Sequence, residues 1–261
     1  MSSRADLHPA LAGLVREIRV DEPGASPSAE PFKVLPTPFP VMGMQLQGRL
    51  EVLRGERPEL LSVSGITGLQ SAFRYFRPGA DTRSVLVVFE PFGAYALLGS
   101  PMRELADEHV GLSALLSPAL VAEMEERAAS ASSAAGVSRI VQSFLLKQLE
   151  QARRPPHPGV MAAARRIVRH RGLESIETLS REIGVGRRHL ERLFTEQIGT
   201  RPKDLASLAR FDWVVRHLES RRSWADLASE AGYADQAHLI RSFAARAGIT
   251  PGEHARALPA P

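Results

Sequence analysis

The sequence predicts an α+β fold in which a β-rich first half with trailing helices precedes an all-helical unit. Three observations predict it. Between about residues 32 and 90, short apolar runs recur between glycine and proline residues, as strands and turns do. From about residue 92 the apolar residues recur at helical spacing. Three prolines within residues 155–158 then interrupt the chain, and the later segments are helical in pattern.

The strand-like runs of the first half are FKVLP, VMGMQLQ, LLSVSGITG, SAFRYF and SVLVVFE. The helical segments that follow are SPALVAEMEERAAS and VSRIVQSFLLKQLEQ, and the second carries its apolar residues on one stripe. Because proline-rich connectors are short and stiff, we place the boundary between two domains at the proline-rich segment 153–158. The predicted division is a first domain at 1–152, a linker at 153–158 and a helical domain at 159–261.

The composition excludes several classes of protein. No apolar run is long enough for a membrane span, and the N-terminus does not resemble a secretory signal, so we expect a cytoplasmic protein without membrane contact. The absence of cysteine excludes disulfides, zinc fingers and cysteine nucleophiles. Phosphate-loop, HExxH and GxSxG motifs are also missing from the sequence. We therefore predict that the chain is not an enzyme and needs no metal or cofactor.

The basic residues are unevenly distributed along the chain. Residues 158–261 hold 17 Lys and Arg against 12 Asp and Glu, whereas residues 1–157 hold 16 against 17, so the basic excess belongs to the second part. Thirty of the 33 basic residues are arginine, which suits bidentate contacts to phosphate and guanine. A GC-rich genome would produce the same bias.

A repeat in the second part points to function. Residues 189–194 and 238–243 share the pattern HLxRxF at a spacing of 49, which also aligns Gly199 with Gly248. Upstream the spacing is 48, so the second copy has one extra residue in its turn. The pairs aligned upstream are Leu179 with Leu227, Glu182 with Glu230 and Gly184 with Gly232. Each copy is a short helix, a turn with a glycine and a second helix, which is the order of a helix-turn-helix.

The spacing within the first copy separates a core from a binding face. Leu179 and Ile183 share one face of the short helix, while Leu190 and Phe194 lie one turn apart on the next, so these four predict a small core. The opposite face of the second helix carries charged residues at i, i+3 and i+4, a surface able to contact base edges. The predicted DNA-contacting residues are Arg187, Arg188, Glu191 and Arg192, with Gln236, Ala237, His238 and Arg241 in the second copy.

The segment between the copies predicts a linker helix. The TRPK sequence at 200–203 favours a helix start, and the apolar pattern continues to about residue 219. A helix of that extent spans about 28 Å at 1.5 Å per residue. Since successive major grooves lie about 34 Å apart, such a linker could place the second helices of both copies, the reading helices, on one face of a duplex.

Residues 158–258 resemble the DNA-binding domain of AraC/XylS-type transcription regulators. The matching segments are LSREIGVGRRHLERLFTEQIGTRP, the linker and LASEAGYADQAHLIRSFAARAGITP. The resemblance implies a bacterial, sequence-specific regulator that binds double-stranded DNA in the major groove and acts on RNA polymerase. It implies base contacts from Arg188, Glu191, Arg192, Gln236, Ala237 and Arg241. The sequence departs from the pattern at Gly186, where a serine-like cap is usual, and at Ala237 and Ile240, which replace polar residues.

The first half is similar, over residues 83–116, to an uncharacterised β-rich domain found ahead of AraC-type DNA-binding domains. That similarity implies a sensor or assembly role. Its aromatic residues are either core or the lining of a ligand pocket. The candidate pocket residues are Tyr75, Phe89, Phe92 and Tyr95. Two hypotheses stay open: a small-molecule effector or partner controls DNA binding, or the first domain only forms a homodimer or recruits other proteins.

Several predicted contacts have a structural interpretation as well. Arg192 and Arg241 could brace the reading helices through ion pairs. His189 and His238 occupy equivalent positions in the two copies, which indicates shared packing at least as much as DNA contact. The remaining candidates, Arg165, Arg166 and Arg169, form a stripe that either contacts phosphate or is a solvated helix face.

Overall fold

The computed structural model describes residues 2–21, 30–54, 57–152, 154–218 and 222–257. Within these ranges the chain has the predicted α+β architecture. Its strands are β1 Ser2–Arg4, β2 Val15–Asp21, β3 Phe32–Val34, β4 Val41–Gln47, β5 Leu50–Arg54, β6 Arg57–Leu60, β7 Ser64–Thr67, β8 Arg74–Pro78, β9 Arg83–Phe89 and β10 His109–Gly111.

These strands form two antiparallel sheets. The larger has the order β1-β2-β9-β4-β7-β10, and the smaller has the order β3-β8-β5-β6. In the central strand β9, Val85, Val87 and Phe89 alternate with less buried residues and point into the core. The five runs predicted as strands overlap β3, β4, β7, β8 and β9.

Strand β2 lies before the region that the sequence predicted to be β-rich. A bulge in this strand explains why it was not predicted. Its pairing with β9 shifts register between Val15 and Glu17, so the buried residues are Val15, Ile18 and Val20 rather than every second residue. A bulge inserts an extra residue and breaks the two-residue period on which strand prediction depends. The sequence pattern of β2 therefore gave no clear strand signal.

The described residues of the first half also form three α-helices, α1 Gly93–Leu98 before β10, and α2 Pro118–Ala129 and α3 Ala134–Gln151 after it. Helices α2 and α3 match the two predicted helical segments. Their buried residues, such as Met124 and Phe144, join a cluster with the inward residues of the larger sheet, including Ile18 and Met42. The helices thus cover one face of that sheet.

The second half is helical throughout its described residues. Its helices are α4 Pro158–Arg169, α5 Ile176–Ile183, α6 Arg187–Gln197, α7 Pro202–Val215, α8 Trp224–Glu230, α9 Gln236–Ala247 and α10 Pro251–Ala257. The linker helix α7 is shorter than predicted. It has 14 residues, about 21 Å at the usual rise, and a turn follows it at 216–218. The estimate of 28 Å was therefore wrong, because an apolar pattern can continue past a helix end.

The buried apolar residues fall into two clusters. One belongs to the first half alone. The other contains the cores of α4 to α9 and also takes in Leu69 and Phe92 from the first half. The two halves are thus packed against one another near the first helix-turn-helix unit. In the described residues, none of the helices is both long and apolar enough to cross a membrane.

Candidate nucleic-acid interface

The first helix-turn-helix unit is built on the four predicted core residues. Leu179, Leu190 and Phe194 are fully buried, and Ile183 packs against the same cluster. Leu193, which the sequence analysis did not assign, is buried with them. This core fixes α6 against α5 and leaves the opposite face of α6 exposed.

The second unit repeats this arrangement. Leu227, Leu239 and Phe243, which align with the core residues of the first unit, are buried. The turn glycines Gly184 and Gly232 both have a left-handed backbone, with φ of 72° and 70°. The repeat found in the sequence is therefore a repeat of packing and of backbone conformation.

The reading face of the first unit contains paired and unpaired arginines. Arg187 Nε lies 3.1 Å from Glu191 Oε1, and Arg192 lies 3.7 Å from a carboxylate oxygen of Glu196. Both pairs join residues four apart on the exposed surface of α6, where such pairs contribute little to stability. DNA can therefore compete for both arginines. Arg188 is exposed and has no hydrogen-bond or ion-pair partner among the described residues.

The N-terminus of α6 is strongly electropositive. Its cap residue is Gly186, which has no side chain, and its first turn holds Arg187 and Arg188 but no acidic residue. Cations at this end oppose the helix dipole at a cost of about 0.3–1 kcal/mol each. Exposed backbone N–H groups and two guanidinium groups together suit an anionic partner. The residues that weaken the helix locally thus make this end favourable for an anionic partner.

The N-terminus of α9 has the opposite character. Asp235 aligns with Gly186 and caps the helix, because its Oδ1 accepts a hydrogen bond of 2.6 Å from the backbone N of His238. Ala237 aligns with Arg188, so the cation is missing as well. Gln236, Ala237, His238 and Arg241 are exposed, and Arg241 has no partner among the described residues. This face offers fewer charged groups than the first.

The two histidines at aligned positions, His189 and His238, each contact nearby side chains. His189 lies beside His157, with ring centroids 6.1 Å apart, and its Nδ1 is 3.4 Å from Arg192. His238 packs edge-on against Tyr233 at 5.3 Å. Both side chains belong to residues that remain exposed. Packing and a DNA contact are thus compatible at each position.

The stripe on α4 divides into three different environments. Arg166 forms ion pairs with Glu182 and Glu174, and the hydrogen bond to Glu182, followed by that to Glu174, raises the pKa of the guanidinium. Arg165 donates to the backbone oxygen of Gly13 at 3.3 Å and lies over the ring of Phe92. Arg169 is exposed and borders an open cavity of about 460 Å³ at the turn between α4 and α5. Arg169 is therefore the member of the stripe most available to a phosphate.

The four candidate pocket residues do not share one environment. Phe89, Phe92 and Tyr95 are packed in apolar clusters, and none is more than 4% exposed. Burial, together with the negative charge of Glu196, raises the pKa of the Tyr95 hydroxyl. Tyr75 lies in the smaller sheet and is 38% exposed. Neither the cavity at the α4–α5 turn nor a small one of about 20 Å³ between α2 and α3 is lined by these residues.

Two contributors to this region escaped the sequence analysis. Asp235 could have been found, since an aspartate directly before a helical pattern is a known cap signal. Lys33 could not, because it lies on β3 and donates to the backbone oxygen of Ala247 at the far end of α9. A contact between residues so distant in the chain leaves no local pattern.

Comparison with known proteins agrees with this geometry. A family model described as a helix-turn-helix domain matches residues 179–257, which contain both units and the linker helix. The chain carries an AraC-type helix-turn-helix domain. Domains of this type bind DNA, so the match supports a DNA-binding transcription regulator.

Solved structures give weaker matches. ToxT from Vibrio cholerae has a TM-score of 0.47 and 11% identity, over 94% of this chain and all of that one. The C-terminal domain of AraT, a response regulator from Geobacillus stearothermophilus, gives 0.39 and 19%, over 41% of this chain and 90% of that one. The AraC-like activator CuxR gives 0.29 and 20%, over 74% and 88%. No curated protein sequence matches the chain significantly. Since these TM-scores lie below 0.5, the assignment of the AraC-type domain depends on the family model and the geometry.

Proposed function

We propose that the chain regulates transcription by binding a DNA site of two blocks, one per helix-turn-helix unit, and that the first unit dominates sequence specificity. The observation that carries this proposal is the exposed, unpaired Arg188 at the electropositive end of α6. Arginine at such a position can donate two hydrogen bonds to guanine in the major groove. The aligned residue of the second unit, Ala237, has no such group.

The first domain, in this proposal, controls DNA binding through assembly or a protein partner. The buried positions of Phe89, Phe92 and Tyr95 support this role, because side chains packed in an apolar cluster are typical of a core. A small-molecule effector is the second hypothesis. It requires these side chains to rearrange around the ligand, or a site elsewhere in the domain.

In the same proposal, the chain binds DNA in the major groove and regulates transcription through RNA polymerase. The proposal also divides the chain into two domains at 153–158. The separate apolar cluster of the first half supports that division. The contacts of Leu69 and Phe92 with the second cluster indicate that the domains are docked rather than freely jointed.

Genome-wide mapping of bound sites, combined with transcript levels in cells with and without the protein, tests this proposal. We expect bound sites upstream of genes whose transcripts change, and a weakening of both effects with Arg188→Ala. Lys147→Ala, on the exposed surface of α3, is a matched control that should change neither. Bound sites with no change in nearby transcripts would contradict a regulatory role.

A further inference from the structure

The two reading helices, α6 and α9, are each followed by a glycine at the same position of the repeat. Both glycines lie against the first domain. Gly199 follows α6 and Gly248 follows α9, and both have positive φ, at 89° and 71°. A Cβ on Gly199 would lie 2.6 Å from the backbone oxygen of Met102, and one on Gly248 would lie 2.3 Å from a ring carbon of Phe73. Glycine is needed at both positions for the backbone conformation and for the close approach.

The first domain contacts the end of α9 through hydrogen bonds. The backbone N of Phe73 donates to the oxygen of Arg246 at 2.8 Å, and Lys33 Nζ donates to the oxygen of Ala247 at 3.0 Å. The last carbonyls of a helix have no partner within the helix, and a cation there interacts favourably with the helix dipole. Lys33 also lies over the ring of Phe73, 4.5 Å from its centroid. These bonds fix where α9 ends relative to the smaller sheet.

The contact at the end of α6 is made by a different part of the first domain. Met102, in a short 3-10 helix at Met102–Leu105, is buried where Gly199 approaches it. Nearby, Arg165 of α4 bonds to Gly13 and covers the Phe92 ring. The first domain therefore holds one end of each reading helix through separate surfaces.

We propose that the first domain sets the separation of the two reading helices by holding both of their C-terminal ends, so that the intact chain accepts one spacing between the two DNA blocks. Phe73 and Lys33 are the positioning residues at the second helix. This proposal rests on the proposed function, since it requires both units to contact DNA. It goes further, because it assigns the first domain a role in site selection.

A competing source of rigidity lies within the helical domain. Arg210 of α7 donates to the oxygen of Gly232 at 3.3 Å, and the rings of Phe211 and Phe243 are 5.1 Å apart. If these contacts alone fixed the separation, loosening the first domain would have no effect on spacing. The experiment below distinguishes the two sources.

The test measures affinity of the full-length chain for DNA duplexes in which the two selected blocks are moved closer or further apart by one to three base pairs. One base pair moves a block by about 3.4 Å and rotates it by about 35°. We expect the unaltered chain to lose about tenfold or more in affinity at the first step. Phe73→Ala and Lys33→Met should reduce that loss to about threefold or less, with affinity for a single block unchanged within about twofold.

Conservative variants and a control complete the design. Phe73→Leu and Lys33→Arg should restore most of the spacing preference, while Lys147→Met on α3 should keep it in full. Circular dichroism checks folding, and Lys33→Met keeps the test valid if Phe73→Ala unfolds. Spacing profiles of the variants that match the unaltered chain would overturn the proposal. A flat profile for the unaltered chain would overturn it too, whereas failure to bind two-block DNA at all would refute the proposed function instead.

Discussion

The two helix-turn-helix units have nearly the same core and different surfaces. Leu190 and Phe194 of the first unit align with Leu239 and Phe243 of the second, and all four are buried. At the aligned positions outside this core the first unit has Gly186, Arg188 and Glu191, whereas the second has Asp235, Ala237 and Ile240, of which Ile240 is half-buried against the core. The core defines how the helices cross, and the surface defines what they can bind. Two copies of one scaffold can thus contribute unequally to recognition.

The two units differ in the stability of their reading helices as well as in the chemistry of their surfaces. Helix α6 begins without a side-chain cap and with two cations, while α9 begins with an aspartate cap. The first helix gives up local stability at the end that we propose contacts DNA, which is typical of a functional surface. The second retains a stable helix end and a weaker binding face.

The largest effect should come from Arg188→Ala. Loss of a bidentate contact to guanine should weaken specific binding by about 1–3 kcal/mol and relax preference at one base position. Fluorescence anisotropy with the selected site and with random DNA measures both. Ala237→Arg, the reverse exchange at the aligned position, should add affinity in the second block. Equal losses on specific and random DNA would show that Arg188 contacts only phosphate.

Removing the cap of the second helix should have the next largest effect. Asp235→Ala eliminates the bond to the backbone N of His238, and a lost cap costs about 0.5–2 kcal/mol in the free energy of unfolding. Urea denaturation of the intact chain measures it, with Asp235→Asn as the control that retains a capping side chain. Affinity for DNA should not fall, since a negative charge leaves the binding face. Unchanged stability would show that this cap contributes nothing.

The opposite exchange, Gly186→Asp, should have a smaller effect on stability. An aspartate cap there should raise the free energy of unfolding by a few tenths of a kcal/mol. It should also weaken DNA binding, because it adds a negative charge beside Arg187 and Arg188. Gly186→Ser, an uncharged cap, separates the two effects and should leave affinity nearly unchanged. A variant that is more stable and binds DNA more tightly would contradict the account of α6.

The smallest effect concerns pH. Burial, and then the charge of Lys33, lower the pKa of His254 below its ordinary value of 6.5. The unfolded chain therefore takes up a proton at this residue more readily, so its stabilising contribution is present above about pH 6.5 and declines as pH falls below that value. The aligned residue of the first unit, Leu205, cannot titrate.

Urea denaturation between pH 5 and 7.5 measures this dependence. His254→Gln should flatten the slope of stability against pH below about 6.5, while His170→Gln, at an exposed position, should not change it. An unchanged slope in His254→Gln would show that the burial of His254 does not affect stability.

Much of the second half could be predicted because its signals are local. Prolines, caps, turn glycines and helical periodicity specify α4 to α10 one at a time, and the repeat specifies how α5 packs on α6. The end of α7 was missed, since the apolar pattern continues through a turn. In the first half, β2 was hidden by its bulge and β5 and β6 by their shortness. The contacts of Lys33 and Phe73 with α9 depend on how distant segments dock, for which no sequence pattern exists.

The most direct test of unequal recognition is selection of binding sites from random DNA with the intact chain, followed by sequencing. The account predicts one sharply defined block and, about one helical turn away, a degenerate block whose selectivity comes partly from DNA shape. Replacement of Arg187, Arg188, Glu191 and Arg192 by alanine should abolish the sharp block. Two blocks of equal information content would contradict the account, and a sharp block that survives that replacement would reverse it.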